Sequence, residues 1–181
     1  MSLKSPASNS NNPTYQANNK AIESFIRLFQ SSFLTRLILW VKLPAAAFMG
    51  LKLSSLTPDK AVTSIKYSWR TKNPFKSTYF AAQAAAAEFS TGILAQVALQ
   101  GQGKVTMLVA DMEAKYIKKG LGKLFFECTQ GEAIRKAIAK TKATGEGETL
   151  ILDSKGYSIE KDGTKVLIST FRFTWWFKAK Q

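Results

Sequence analysis

The sequence predicts an α+β fold in which an antiparallel sheet wraps around one long, buried helix. Two observations lead to it. Between Lys76 and Lys104 the only charged residue is Glu88, in a stretch that is rich in alanine, free of proline and followed by Gly101 and Gly103. A helix that is apolar nearly all round has to be buried nearly all round. On either side of this stretch the side chains alternate in character at every second position, the period of strands whose two faces meet different surroundings.

The elements follow in order. Residues 1–19 are rich in Ser, Asn and Pro and are expected to form a disordered tail. From Lys20 to Val41, Ile22, Phe25, Ile26, Phe29, Phe33, Leu37 and Trp40 recur at helical spacing, and Pro44 ends or kinks the helix. This helix either packs on the domain, lies on a membrane surface or lines a ligand tunnel. A strand is expected over 48–56, then a turn at Thr57-Pro58-Asp59 and a second strand over 61–70 with one mostly polar face. The central helix spans about 77–99. After it, residues 104–117 form a strand in which Thr106, Leu108, Ala110, Met112 and Ala114 share the inward face. Further strands are expected over 122–129, 148–160 and 164–178, with a basic helix over 131–143. Lys161-Asp162-Gly163 is a hairpin turn, and Phe171, Phe173, Trp175 and Phe177 make one aromatic face. No internal repeat is present.

Composition narrows the chemistry. The chain contains no histidine, which removes Ser-His-Asp and Cys-His nucleophile pairs and every histidine metal site. Acid–base work therefore falls to Asp, Glu, Lys, Tyr or water, and no metal or other cofactor is expected. A single cysteine, Cys128, allows no intrachain disulfide. The opening residues lack an apolar leader core, and no apolar run is long enough to span a bilayer. A cytoplasmic address fits best. The formal charge of +14 suits nucleic acid, anionic lipid or a phosphate-bearing small molecule, or is simply a solvated basic surface. Nucleic-acid binding is not expected, because no RNP-like or helix-turn-helix pattern accompanies the charge.

The run Asn73-Pro74-Phe75-Lys76-Ser77-Thr78-Tyr79-Phe80-Ala81, with Glu88 after it, resembles the signature of the hot-dog-fold thioesterase superfamily. The similarity is to a single-domain branch beside the phenylacetate-type acyl-CoA thioesterases. In that pattern an Asn precedes a Gly by three residues, a His-Gly-Gly opens the central helix, and an acid lies nine residues beyond the His. Asn73 and Glu88 stand at the Asn and acid places. Lys76, Tyr79, Phe80 and Ala81 stand where the family has Gly, His, Gly and Gly. The element order over 48–178 matches as well.

The resemblance implies a hot-dog domain over 48–181, preceded by an extra N-terminal helical segment over 20–47. It implies hydrolysis of an acyl thioester, most simply an acyl-CoA. In that scheme Glu88 activates water or attacks directly, Asn73 holds the loop or orients the water, and backbone N–H groups of Phe80 and Ala81 meet the oxyanion. Tyr79 becomes a pocket wall, and Thr106 supplies a hydroxyl on the strand after the helix. A homodimer or dimer of dimers joined edge to edge is also implied, with peripheral membrane contact through 20–41 as a further option. The rival reading is a non-catalytic binder of fatty-acyl groups or acyl-CoA. Each residue also has a plainer role: Glu88 as half of an ion pair, Asn73 as a turn residue before Pro74, Thr106 as strand packing, and Cys128 as core.

Overall fold

The structure, a computed structural model, describes residues 13–180. Its elements are helices α1 (Pro13–Gln30), α2 (Ser32–Lys42) and α3 (Pro44–Met49), strands β1 (Lys52–Leu56) and β2 (Ala61–Lys66), helix α4 (Phe80–Leu99), strands β3 (Val105–Tyr116) and β4 (Lys123–Cys128), helix α5 (Gly131–Thr144), and strands β5 (Glu148–Ile159) and β6 (Lys165–Ala179). The strands form one sheet in the order β1-β2-β4-β5-β6-β3, antiparallel throughout.

That order explains the central helix. β2 lies second in the sheet and β3 at its far edge, so the connection between them must cross β4, β5 and β6. α4 is that crossing. Its buried residues come from almost every side of the helix, among them Ala82, Ala86, Ala87, Ile93, Leu94 and Val97. They pack on Ile65, Leu124, Phe126, Leu152, Phe171, Phe173 and Phe177 in a single core. Small alanine side chains let the helix axis approach the sheet closely, while the aromatic residues of β6 fill the remaining depth.

The N-terminal region departs from expectation. One helix over 20–41 is predicted, but two are found, and the first begins at Pro13, inside the segment expected to be a disordered tail. Residues 1–12 lie outside the described residues. The break falls at Ser31, whose hydroxyl caps α2 by accepting from Leu34 N–H, while Thr35 Oγ1 donates to Phe29 O at 3.0 Å. A hydroxyl pair can thus redirect the chain without interrupting the apolar spacing, which hid the break. Pro44 ends α2 and also opens α3, where its missing N–H costs nothing. Residues 48–51 are therefore not strand. β2 likewise stops at Lys66 instead of reaching Arg70, because Thr71 Oγ1 donates to Lys66 O and accepts from Ser68 N–H, closing a turn. No helix among the described residues is long and apolar enough to cross a membrane.

Candidate active site

α4 carries one stripe less buried than the rest, through Phe80, Ala81, Ala84, Ala85, Glu88 and Gln96. The stripe faces β3. At one end Phe80 stacks edge-on against Tyr116, with centroids 6.4 Å apart, and at the other Gln96 Nε2 reaches Met107 Sδ at 3.2 Å. Glu88 sits between these two contacts. Burial raises its pKa above the ordinary 4.5, and no neighbouring charge contributes. None of the ion pairs or side-chain hydrogen bonds among the described residues uses its carboxylate. Among the described residues of one chain, Glu88 therefore has no ion-pair partner.

Gly92 makes room for that carboxylate. A Cβ at position 92 would lie 3.1 Å from Glu88 Oε1 and 3.3 Å from Trp175 Cη2. Trp175 is fixed in turn by donating from Nε1 to Thr91 Oγ1 at 3.0 Å, and Thr91 donates to Glu88 O at 2.8 Å. Further polar contacts set the rotation of α4 on the sheet: Gln83 joins Thr78 O to Ser169 Oγ, Ser90 meets Ser154, and Thr63 donates to Ala86 O. These buried groups are all satisfied, so the face presenting Glu88 is held by hydrogen bonds as well as by apolar packing. Gly92, Thr91, Trp175 and Gln83 were not among the predicted site residues. Gly92 did leave a signal, since glycine inside an alanine-rich helix costs about 1 kcal/mol and implies a need for space.

The start of α4 is uncapped. Tyr79 stands at the N-cap without a side-chain bond, and its carbonyl accepts from Ala82 and Gln83. The N–H groups of Phe80 and Ala81 have no acceptor among the described residues. They point where the helix dipole favours negative charge. The rings of Tyr79 and Phe80 meet edge to face at 4.8 Å, and both are well exposed. Asn73 is committed to its own loop: Oδ1 accepts from Ser77 N–H at 3.1 Å and Nδ2 lies 3.1 Å from Ser77 Oγ. No hydrogen bond joins it to Glu88. The loop is tight enough to hold Lys76 at φ 57°.

Thr106 requires a correction. It pairs with Lys178, whereas its neighbour Met107 pairs with the buried Phe177 and touches α4. Directly opposed residues share a face, so Thr106 points away from the helix. A bulge between Val109 and Asp111 then reverses the parity, and Met112, Ala114 and Tyr116 face inward opposite Phe173, Phe171 and Ser169. The predicted alternation was right beyond the bulge and inverted before it. Cys128 is buried in the core, and its thiol pKa is pushed up to about 11, chiefly by burial. That leaves it protonated and unreactive near neutrality.

Residues 33–176 match the family model described as "Domain of unknown function (DUF4442)". No curated protein sequence matches the chain. Among solved structures, a protein of unknown function from Pseudomonas aeruginosa, termed a probable thioesterase, is similar with a TM-score of 0.67 at 16% identity, covering 83% of this chain and 97% of that one. A putative thioesterase from Shewanella oneidensis is similar with a TM-score of 0.67 at 11% identity, covering 87% and 99%. A thioesterase from Haemophilus influenzae is similar with a TM-score of 0.58 at 16% identity, covering 81% and 90%. The chain therefore has the hot-dog fold of these thioesterase-type structures, and by its match over residues 33–176 it belongs to the DUF4442 family.

Proposed function

We propose that the protein hydrolyses an acyl thioester, most simply an acyl-CoA, at Glu88. The observation that carries this reading is a carboxylate, unpaired among the described residues and raised in pKa by burial, on the central helix of a hot-dog fold. Ionised Glu88 takes a proton from water, and the resulting hydroxide attacks the thioester carbonyl. The tetrahedral oxyanion collapses with loss of thiolate, which recovers the proton from Glu88. The products are a carboxylic acid and a thiol. Uncapped N–H groups at Phe80 and Ala81 suit the oxyanion. The partly open apolar residues Val109, Met112 and Tyr116, opposite the Glu88 stripe, suit an acyl chain. A net charge of +14 suits a phosphorylated carrier.

Helix geometry adds a condition. Phe80 and Glu88 are eight residues apart on one helix, an axial separation of about 12 Å. Both cannot touch one carbonyl group. The reading therefore needs two copies joined along β3, so that the α4 start of one meets Glu88 of the other. Edge geometry favours that seam: β1 is flanked by α1 and α2, while β3 is an open edge among the described residues, carrying exposed Leu108, Val109 and Met112.

The second reading is a non-catalytic acyl binder. It is favoured by Tyr79 and Phe80, whose rings crowd the helix start that would receive the carbonyl. The test is acyl-CoA hydrolysis across chain lengths by the parent and Glu88→Gln. Glu88→Gln is expected to lose ~10²–10⁴-fold in turnover with a melting temperature no lower than the parent's. A parent inactive on every thioester, yet binding acyl-CoA, overturns hydrolysis in favour of binding.

A further inference from the structure

At the opposite edge of the sheet, α1 and α2 stand off β1 and leave a cavity of about 680 Å³. That volume lies within the range of small-molecule sites. Among the described residues four cationic side chains line it, Arg36, Lys52, Lys66 and Arg70, and no carboxylate does. None of the four is ion-paired among the described residues. Cations such as Lys104, Lys118 and Lys155 are also outside the ion pairs among the described residues, so a lack of pairing is general in this basic chain. What is particular to this cavity is that four cations converge on one volume.

The rest of the lining is apolar and partly hydroxylic. Leu39, Ala47 and Leu51 are buried beneath it, with Phe29, Met49 and Leu53 beside them. The cations arrive from three separate segments: Arg36 from α2, Lys52 from β1, and Lys66 and Arg70 from the end of β2 and the turn after it. Arg70 is positioned by Gly50. That glycine closes α3 at φ 78°, and a Cβ on it would lie 3.2 Å from Arg70 Nη2. At the mouth, Trp40 lines the cavity and is half exposed. Trp69, next to Arg70, is more exposed still and meets Phe48 edge to face at 5.9 Å.

Cations alone would suit any anion, and an apolar floor alone any small hydrophobe. Their combination around one volume selects a molecule with both parts. We propose that this cavity is a binding site for a single-chain anionic amphiphile, its phosphate or carboxylate head held by Arg36, Lys52, Lys66 and Arg70 and its chain laid on Phe29, Leu39 and Met49. The site lies at the β1 edge, whereas Glu88 faces the β3 edge. It therefore stands whether or not Glu88 is catalytic.

The test is calorimetric titration of the full chain with decyl phosphate below its micelle concentration, with decanol and with inorganic phosphate. Decyl phosphate is expected to bind one per chain. Inorganic phosphate should bind about a hundredfold more weakly, because it buries no chain, and decanol about tenfold or more weakly, because it leaves the cations unmet. Arg36→Ala combined with Arg70→Ala should weaken decyl phosphate by about tenfold or more. Glu88→Gln should bind it as the parent does. Should the arginine variant fail to fold, Lys52→Glu with Lys66→Glu, both at exposed positions, reads the same site. No binding, equal binding of inorganic phosphate, undiminished binding by a folded variant of these cations, or loss of binding in Glu88→Gln overturns the proposal.

Discussion

Burial raises the Glu88 pKa and no charge opposes it, which gives a sign that an ion pair would not. The folded state holds this proton more tightly than the unfolded chain. Its contribution to stability is therefore complete below about pH 4.5 and is lost as pH rises from there through the raised folded value. Glu88→Gln should match the parent melting temperature near pH 4 and exceed it near pH 8, as read by scanning calorimetry. A mutant less stable than the parent at pH 8 would mean that a cation does pair with Glu88. Catalysis runs the opposite way: a general base must be ionised, so turnover should rise with pH through the same raised value. Gly92→Ala probes the same carboxylate. The helix gains propensity, but the methyl group meets Oε1 and Trp175. Turnover is expected to fall on the order of 10²-fold, because a displaced base loses its alignment, with the fold intact by circular dichroism. Unchanged turnover would show that the Glu88 carboxylate does not act from its present position.

At the scale of elements, α4 is oriented by polar contacts that its apolar composition conceals. Thr91 is completely buried and accepts the Trp175 indole N–H. Thr91→Val keeps the shape and removes the acceptor, leaving a buried donor unmet. Urea unfolding should show a loss of about 1–3 kcal/mol. A loss of a few tenths would mean that Trp175 finds another acceptor. The N-terminal helices are similarly tied down. Phe25 and Phe29 of α1 pack on the core, and Asn18 lies against Gly101 at the end of α4. Removal of residues 1–42 is therefore expected to cause aggregation, measured as loss of soluble protein, because it uncovers β1 together with that apolar surface. A truncated chain as soluble and as stable as the parent would contradict this packing.

At the scale of the whole molecule, the sheet has one edge flanked by helices and one edge open among the described residues. Edge strands template further pairing unless they are charged or covered, and β3 carries exposed Leu108 and Met112. Light scattering is expected to find a dimer at micromolar concentration. Leu108→Lys with Met112→Lys should yield monomers. Because the helix start and Glu88 lie too far apart to serve one carbonyl within a chain, hydrolysis should disappear along with the dimer. Monomers that retain full turnover would place the whole site in one chain and remove the need for a seam.

What the sequence determined by itself was whatever depends on local pattern. The lone charge between Lys76 and Lys104 marked both the buried helix and its candidate residue. Period-2 alternation located the later strands but carried β2 on to Arg70 with a polar face, whereas β2 ends at Lys66 and buries both faces; the aromatic face of β6 was legible because Phe171, Phe173, Trp175 and Phe177 keep that period without interruption. Tertiary structure decided whatever depends on partners distant in the chain. Thr106 was assigned to the wrong face because a bulge is a property of two paired strands, and one strand's spacing does not reveal where the parity changes. Asn73 was a candidate by position, but its amide is taken up by Ser77 four residues on, a choice the loop geometry makes. The setting of Glu88 needed Gly92 from its own helix and Trp175 from the last strand, brought together only when the sheet closes over α4. The basic cavity beyond β1 was invisible in sequence for the same reason: its cations are dispersed along the chain, and only the folding of α2 back over the edge strand gathers them around one space.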